Sequence, residues 1–151
     1  MDEDDVKFMR LAVDLADKCH PEEEKIPRVG AVIVAGGEVI GFGHRGSSTK
    51  GDDEHAELRA IGSVSAKDKT RLAGATLYTT LEPCTPESRS VGEQSCSELI
   101  YQQKFSRVFV GILDPNRDVT GKGLLRLQEA NVAVALFPHD LSQRIQGQNG
   151  R

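Results

Sequence analysis

The chain has no tryptophan, two tyrosines and an aromatic share of 5%. That scarcity counts against a surface on which successive bases of a single strand stack, because aromatic side chains supply such platforms. Basic charge is short as well: 19 Lys/Arg face 23 Asp/Glu, a formal net charge of −4. A protein dominated by phosphate contacts has the opposite balance. Residues 1–60 hold 8 Lys/Arg and 14 Asp/Glu, whereas residues 61–151 hold 11 and 9, so only a local basic pocket remains open. Long apolar runs are missing too. The longest, Val29 to Ala35, is too short to cross a bilayer, and the acidic opening Met1-Asp2-Glu3-Asp4-Asp5 is unlike a signal peptide. Three cysteines do not close into a disulfide set, which points to a reducing compartment and a cytosolic location.

What is present describes one globular domain over residues 1–151, with 138–151 as a C-terminal extension; 38% hydrophobic and 28% charged residues suffice for a core at this length. Val6, Met9, Val13 and Ala16, widened by Phe8, Ala12 and Leu15, predict an amphipathic helix over 5–19, ended by His20-Pro21. Val29–Val34 and Glu38–Gly43, joined at Gly36-Gly37, predict a hairpin whose first strand is apolar on both faces and central. Gly46 to Asp53 is a polar loop. Further helices are expected over 54–66, 95–104 and 122–130, and strands over 75–80, 107–112 and 132–137. Helix crossovers between the later strands imply an α/β fold with a mixed, mostly parallel sheet covered on both faces.

Two short elements carry chemistry: His55-Ala56-Glu57 opening the second helix, and Pro83-Cys84 with Cys96 around the start of the third. Either alone reads as a surface helix start or as small buried hydrophobes. Together, one imidazole and two thiolates make a three-ligand set suited to zinc with a position left for water. Thiols near a helix N-terminus are drawn toward the thiolate form. Glu57 is the expected proton carrier, although a residue two positions after a ligand does not share its face in an ideal helix. Cys19 reads as a packed thiol, and His20 and His139 as surface histidines.

In this order and on these elements, His55-Ala56-Glu57, Thr80-Leu81-Glu82-Pro83-Cys84 and Cys96 resemble the cytidine-deaminase superfamily of zinc hydrolases over nearly the whole chain. The resemblance implies a three-layer αβα fold with a five-stranded mixed sheet whose last strands are parallel. It also implies zinc on His55, Cys84 and Cys96, proton transfer by Glu57, and association into homo-oligomers. Val29–Val34, Gly111-Ile112-Leu113-Asp114-Pro115-Asn116, Gly121-Lys122-Gly123 and Leu127–Val132 are similar to the deaminase domain of the bifunctional riboflavin-biosynthesis enzyme. That similarity implies a small aminopyrimidine substrate, with Ala31, His44, Arg89, Asp114 and Asn116 as candidate substrate contacts. Arg89, with His44, Arg45 and Lys50, supplies charge for a phosphate or carboxylate. Eleven residues lie between Cys84 and Cys96, more than in the relatives, so this loop marks an altered specificity. With fourteen residues after Phe137, a reductase half and hydride chemistry are not expected of this chain, which reads as a stand-alone deaminase or a fragment of something longer. Two rival readings stand beside a deaminase of small molecules: a base editor on single-stranded nucleic acid, and a binding module in which zinc is only structural.

Overall fold

The computed structural model describes residues 2–19, 27–45, 55–85 and 95–149. The predicted apolar stripe folds as helix α1 (Glu3–Ala16), which buries Phe8, Met9, Ala12, Val13, Leu15 and Ala16. A capping box starts it: the Asp2 carboxylate accepts from the Asp5 N–H, and the Asp5 carboxylate accepts from the Asp2 N–H. The hairpin follows as β1 (Gly30–Ala35) and β2 (Glu38–His44), turning through Gly36 and Gly37 at positive φ. Then come α2 (Ala56–Ser63), a 3₁₀ helix (Ala66–Leu72), β3 (Thr76–Leu81), α3 (Cys96–Gln102), β4 (Arg107–Ile112), α4 (Lys122–Glu129), β5 (Ala133–Leu136) and α5 (His139–Gln148).

The five strands form one sheet in the order β2-β1-β3-β4-β5. β1 runs antiparallel to both β2 and β3, whereas β3, β4 and β5 are parallel neighbours. Half of the pairings are thus antiparallel, yet four of the five strands share one direction and β1 alone opposes them. Apolar on both faces, β1 lies inside the sheet as its pattern requires. Chain-linked parallel strands need crossovers, and α3 and α4 supply them.

Two apolar layers result. Met9, Val13, Val32, Tyr78, Phe109, Leu141 and Ile145 fill the layer under α1 and α5. Ala31, Ile33, Ala60, Leu77, Ile100, Val110 and Leu127 fill the layer under α2, α3 and α4. α2 lies close on β2 because Gly43 has no side chain: a Cβ there would meet Arg59 Cβ at 2.8 Å and the Ala60 nitrogen at 2.9 Å. That contact sets the start of α2 at the end of the sheet where β3 also finishes.

Two elements go beyond the sequence expectations. Residues 139–148, within the predicted extension, form α5, whose Leu141 and Ile145 are buried one turn apart. The segment after α2 continues as the 3₁₀ helix, where Leu72 is the one buried residue. No helix among the described residues is long and apolar enough to cross a membrane.

Candidate active site

Three chain segments end at the same place. β3 leaves the sheet through Leu81-Glu82-Pro83, where proline cannot extend the ladder, and delivers Cys84 just beyond it. α3 begins at Cys96 behind its N-cap Ser95, whose hydroxyl accepts from the Glu98 N–H at 3.2 Å. The Cys96 N–H donates to Cys84 Sγ at 3.1 Å, and the Ser97 N–H to the Cys84 carbonyl at 3.0 Å. His55 precedes α2, and its Nδ1 lies 3.3 Å from Cys96 Sγ and 3.7 Å from Cys84 Sγ.

The donor atoms of His55, Cys84 and Cys96 lie within 4.8 Å of one another, and among the described residues they are the one group of three or more metal-ligating side chains placed this closely. Cys96 is buried, Cys84 and His55 half-buried. The Cys84 thiol is pulled down to about 4, first by its hydrogen bond with the Cys96 thiol, then by His55 and the Cys96 N–H, while burial opposes them. A thiol drawn toward its thiolate form, with a second thiol and an imidazole close by, fits a borderline-soft ion such as zinc. Three protein donors are the number found in sites that keep a position for water.

The ideal-helix objection to Glu57 does not apply, because His55 is not helical. Its φ of −64° and ψ of 147° are extended, so its side chain leaves at an angle no helical spacing predicts. Glu57 lies in the first turn of α2 and is only 4% exposed. The Thr79 hydroxyl, on β3, donates to Glu57 Oε1 at 2.8 Å.

Sequence reasoning missed Glu82. Its buried carboxylate accepts from the N–H groups of Asp114 and Gly121 through Oε1, each at 2.9 Å, and of Leu124 through Oε2 at 3.1 Å. It thereby ties the segment before Cys84 to the loop after β4 and to the first turn of α4. Gly123 permits this, since a Cβ there would run into the Pro83 carbonyl oxygen and meet Glu82 Cγ at 2.9 Å. The signal available was an acid next to a proline, followed about forty residues on by Gly-x-Gly.

The candidate substrate contacts are spread out. Ala31 is fully buried on β1, paired with Gly43 and Thr79, in the layer under α2. His44 ends β2, half-buried, with Nδ1 3.0 Å from the Arg45 carbonyl. Asp114 and Asn116 fold their own loop: Asp114 Oδ1 accepts from the Asn116 N–H and Asn116 Oδ1 from the Asp118 N–H. Arg89, Lys50, His20 and most of the loop between the cysteines lie outside the described residues. Cys19 is 1% exposed, and its thiol donates to the Val29 carbonyl, in keeping with a packed role; burial pushes it up. His139 is exposed at the start of α5.

Residues 2–112 match the family described as the cytidine and deoxycytidylate deaminase zinc-binding region. The riboflavin biosynthesis protein RibD of Aquifex aeolicus is 39% identical over 130 residues, covering 86% of this chain and 34% of that protein. The diaminohydroxyphosphoribosylamino-pyrimidine deaminase of Schizosaccharomyces pombe is 37% identical over 129 residues, 85% of this chain and 31% of that protein. A structure of Acinetobacter baumannii RibD superposes with a TM-score of 0.81 at 29% identity, covering 96% of this chain and 38% of that one. This chain thus spans about a third of the length of the curated relatives it matches.

Proposed function

Because the chain belongs to the family of the cytidine and deoxycytidylate deaminase zinc-binding region, we propose that it is a zinc-dependent hydrolytic deaminase of a phosphoribosylated aminopyrimidine. The observation that carries this reading is the convergence of His55, Cys84 and Cys96 at the N-termini of α2 and α3, with a buried carboxyl in the next turn. These three residues would hold the ion. Zinc, when bound, supplies a Lewis acid that lowers the pKa of water to about 7.

The remaining work falls to the chain's own groups. Glu57 takes a proton from the attacking water and passes it to a ring nitrogen, then takes the proton left on the added hydroxyl as C=O forms and gives it to the departing amine. The net change replaces an exocyclic C–NH₂ by C=O, consuming water and releasing ammonia. Cys84, whose thiol is drawn toward the thiolate, would with Cys96 offset the charge of an ion held in this half-buried site. The loop that Glu82 secures, with Asp114 and Asn116, forms one wall of the substrate mouth. His44, Lys50 and Arg89 offer charge for a phosphate, and Ala31 lies beneath the floor.

The substrate class is favoured by the relatives whose names print it, and by a net negative chain poor in aromatics. We place the enzyme in the cytoplasm as a homo-oligomer, an association that would cover exposed apolar side chains such as Phe42 (56% exposed), Leu125 (55%) and Leu136 (48%). The test is ammonia release by the purified chain from a panel of aminopyrimidine bases, nucleosides and nucleotides, with product mass read in parallel. Release from the phosphoribosylated diaminopyrimidine is expected. A zinc-loaded protein silent across the whole panel contradicts this reading and favours a binding module.

A further inference from the structure

Alternation along β3 gives each side of the sheet its own residues. Leu77 and Leu81 pack in the layer under α2, α3 and α4, and Tyr78 packs in the layer under α1 and α5. Thr79 falls on the first of these, between two leucines, and is fully buried. A hydroxyl in an apolar layer costs free energy unless it is hydrogen-bonded, and a buried carboxyl costs more. Here the two polar groups meet. The Thr79 hydroxyl lies 2.8 Å from Glu57 Oε1 and 3.2 Å from the Leu81 carbonyl oxygen. Having one proton, it serves one acceptor at a time, and the shorter contact goes to Glu57.

Among the described residues no other hydrogen bond to the Glu57 carboxyl group is found, so of these it is Thr79 that bears on how the side chain is turned. One oxygen is occupied by the strand, and no hydrogen bond to the other is found among the described residues. The anchor lies on the strand that also delivers Cys84, five residues later, so the proton carrier and a metal donor are referred to one rigid element. A valine would fill the same volume with no donor, and would suit the surrounding leucines better. The hydroxyl is therefore not explained by packing.

We propose that Thr79 is a positioning residue: its hydroxyl, acting through Oε1, holds Glu57 in the one orientation that lets the other oxygen reach water and substrate. This rests on the deaminase reading above, and the test separates the two. Zinc-loaded Thr79→Val and Thr79→Ser are compared with the parent by crystal structure, zinc content, thermal unfolding, kcat and KM. Thr79→Val is expected to leave Glu57 swung from its place or split between conformers and to lower kcat by roughly 10- to 100-fold, as small displacements of catalytic groups do. KM and zinc content should stay near the parent values, the unfolding midpoint should fall only by what one lost hydrogen bond brings while the fold is kept, and Thr79→Ser should recover both the Glu57 position and kcat. An unmoved Glu57 in Thr79→Val overturns the proposal, whether or not the parent turns substrate over. Full turnover by Thr79→Val overturns it too, as does a loss that Thr79→Ser shares or that follows loss of zinc or of the fold. Silence of the parent on every substrate speaks instead against the deaminase reading, and the crystallographic comparison still decides the role of Thr79.

Discussion

Two neighbouring residues of β3 each hand a hydroxyl to a buried carboxyl on opposite faces of the sheet, and the two pairs differ in how completely the acid is satisfied. Under α1, Asp5 Oδ1 accepts from the Tyr78 hydroxyl at 2.6 Å and from Arg107 Nη2 at 3.3 Å, while Oδ2 accepts from the Asp2 N–H at 3.2 Å. Burial works against the Asp5 charge, yet Tyr78, the Asp2 N–H and Arg107 together bring its carboxyl below the usual value. Burial, with Asp5 beside it, raises the Tyr78 phenol in turn. Under α2, Glu57 is equally buried but has Thr79 as its described partner and no described ion pair. An acid with every oxygen paired and a cation alongside holds a fold together. An acid with one described hydrogen bond, two residues after His55, suits the proton transfer proposed for it.

The largest effect that sharpens this contrast is Glu57→Gln. Turnover should fall by roughly 10²- to 10⁴-fold, the share general acid–base catalysis supplies, with an unfolding midpoint equal to or above that of the parent. Comparable loss of stability without loss of turnover would reverse the assignment.

Glu82→Ala comes next, because it strands three backbone N–H groups. A loss of about 3 kcal/mol in denaturant unfolding is expected, together with raised KM as the 114–121 segment loosens. Wild-type stability and KM would show that Glu82 is dispensable to the loop.

On the other face, Asp5→Asn should cost about 2 kcal/mol and Tyr78→Phe about 1 kcal/mol, both leaving kcat per folded molecule unchanged. A kcat defect in either variant would break the division between the faces.

The smallest effect is that of pH. Because the folded state lowers the Asp5 carboxyl below its ordinary value of 3.8, its contribution is present above that value and is lost as pH falls through the lowered one. Unfolding midpoints followed from pH 6 to pH 3 should drop less steeply in Tyr78→Phe than in the parent, since the variant has less to lose. Identical slopes would remove Asp5 from the account.

Much of this was legible in the residues alone. The stripe through Met9, Val13 and Ala16 and the twofold-apolar run of β1 report burial directly, and the structure buries those residues. The donor set was legible as chemistry, since sulfur and imidazole select similar ions wherever they meet. What escaped was set by tertiary contact. α5 carries two buried residues in ten, too few to register as a stripe, and depends on packing against α1 and β4. The 3₁₀ helix is nearly all polar. Glu57 looked misplaced because helical spacing was applied to His55, whose extended backbone belongs to the cap. Glu82 and Thr79 were unreadable for a different reason: their partners lie 32 to 42 and 22 residues away, and only the folded sheet brings them together.

Zinc stoichiometry decides the central claim most directly. Protein purified without chelators should hold about one zinc per chain, lost in Cys84→Ser and Cys96→Ser alike, as expected for a single site with three protein ligands. A well-folded parent that carries no zinc and takes up none on titration would contradict the account.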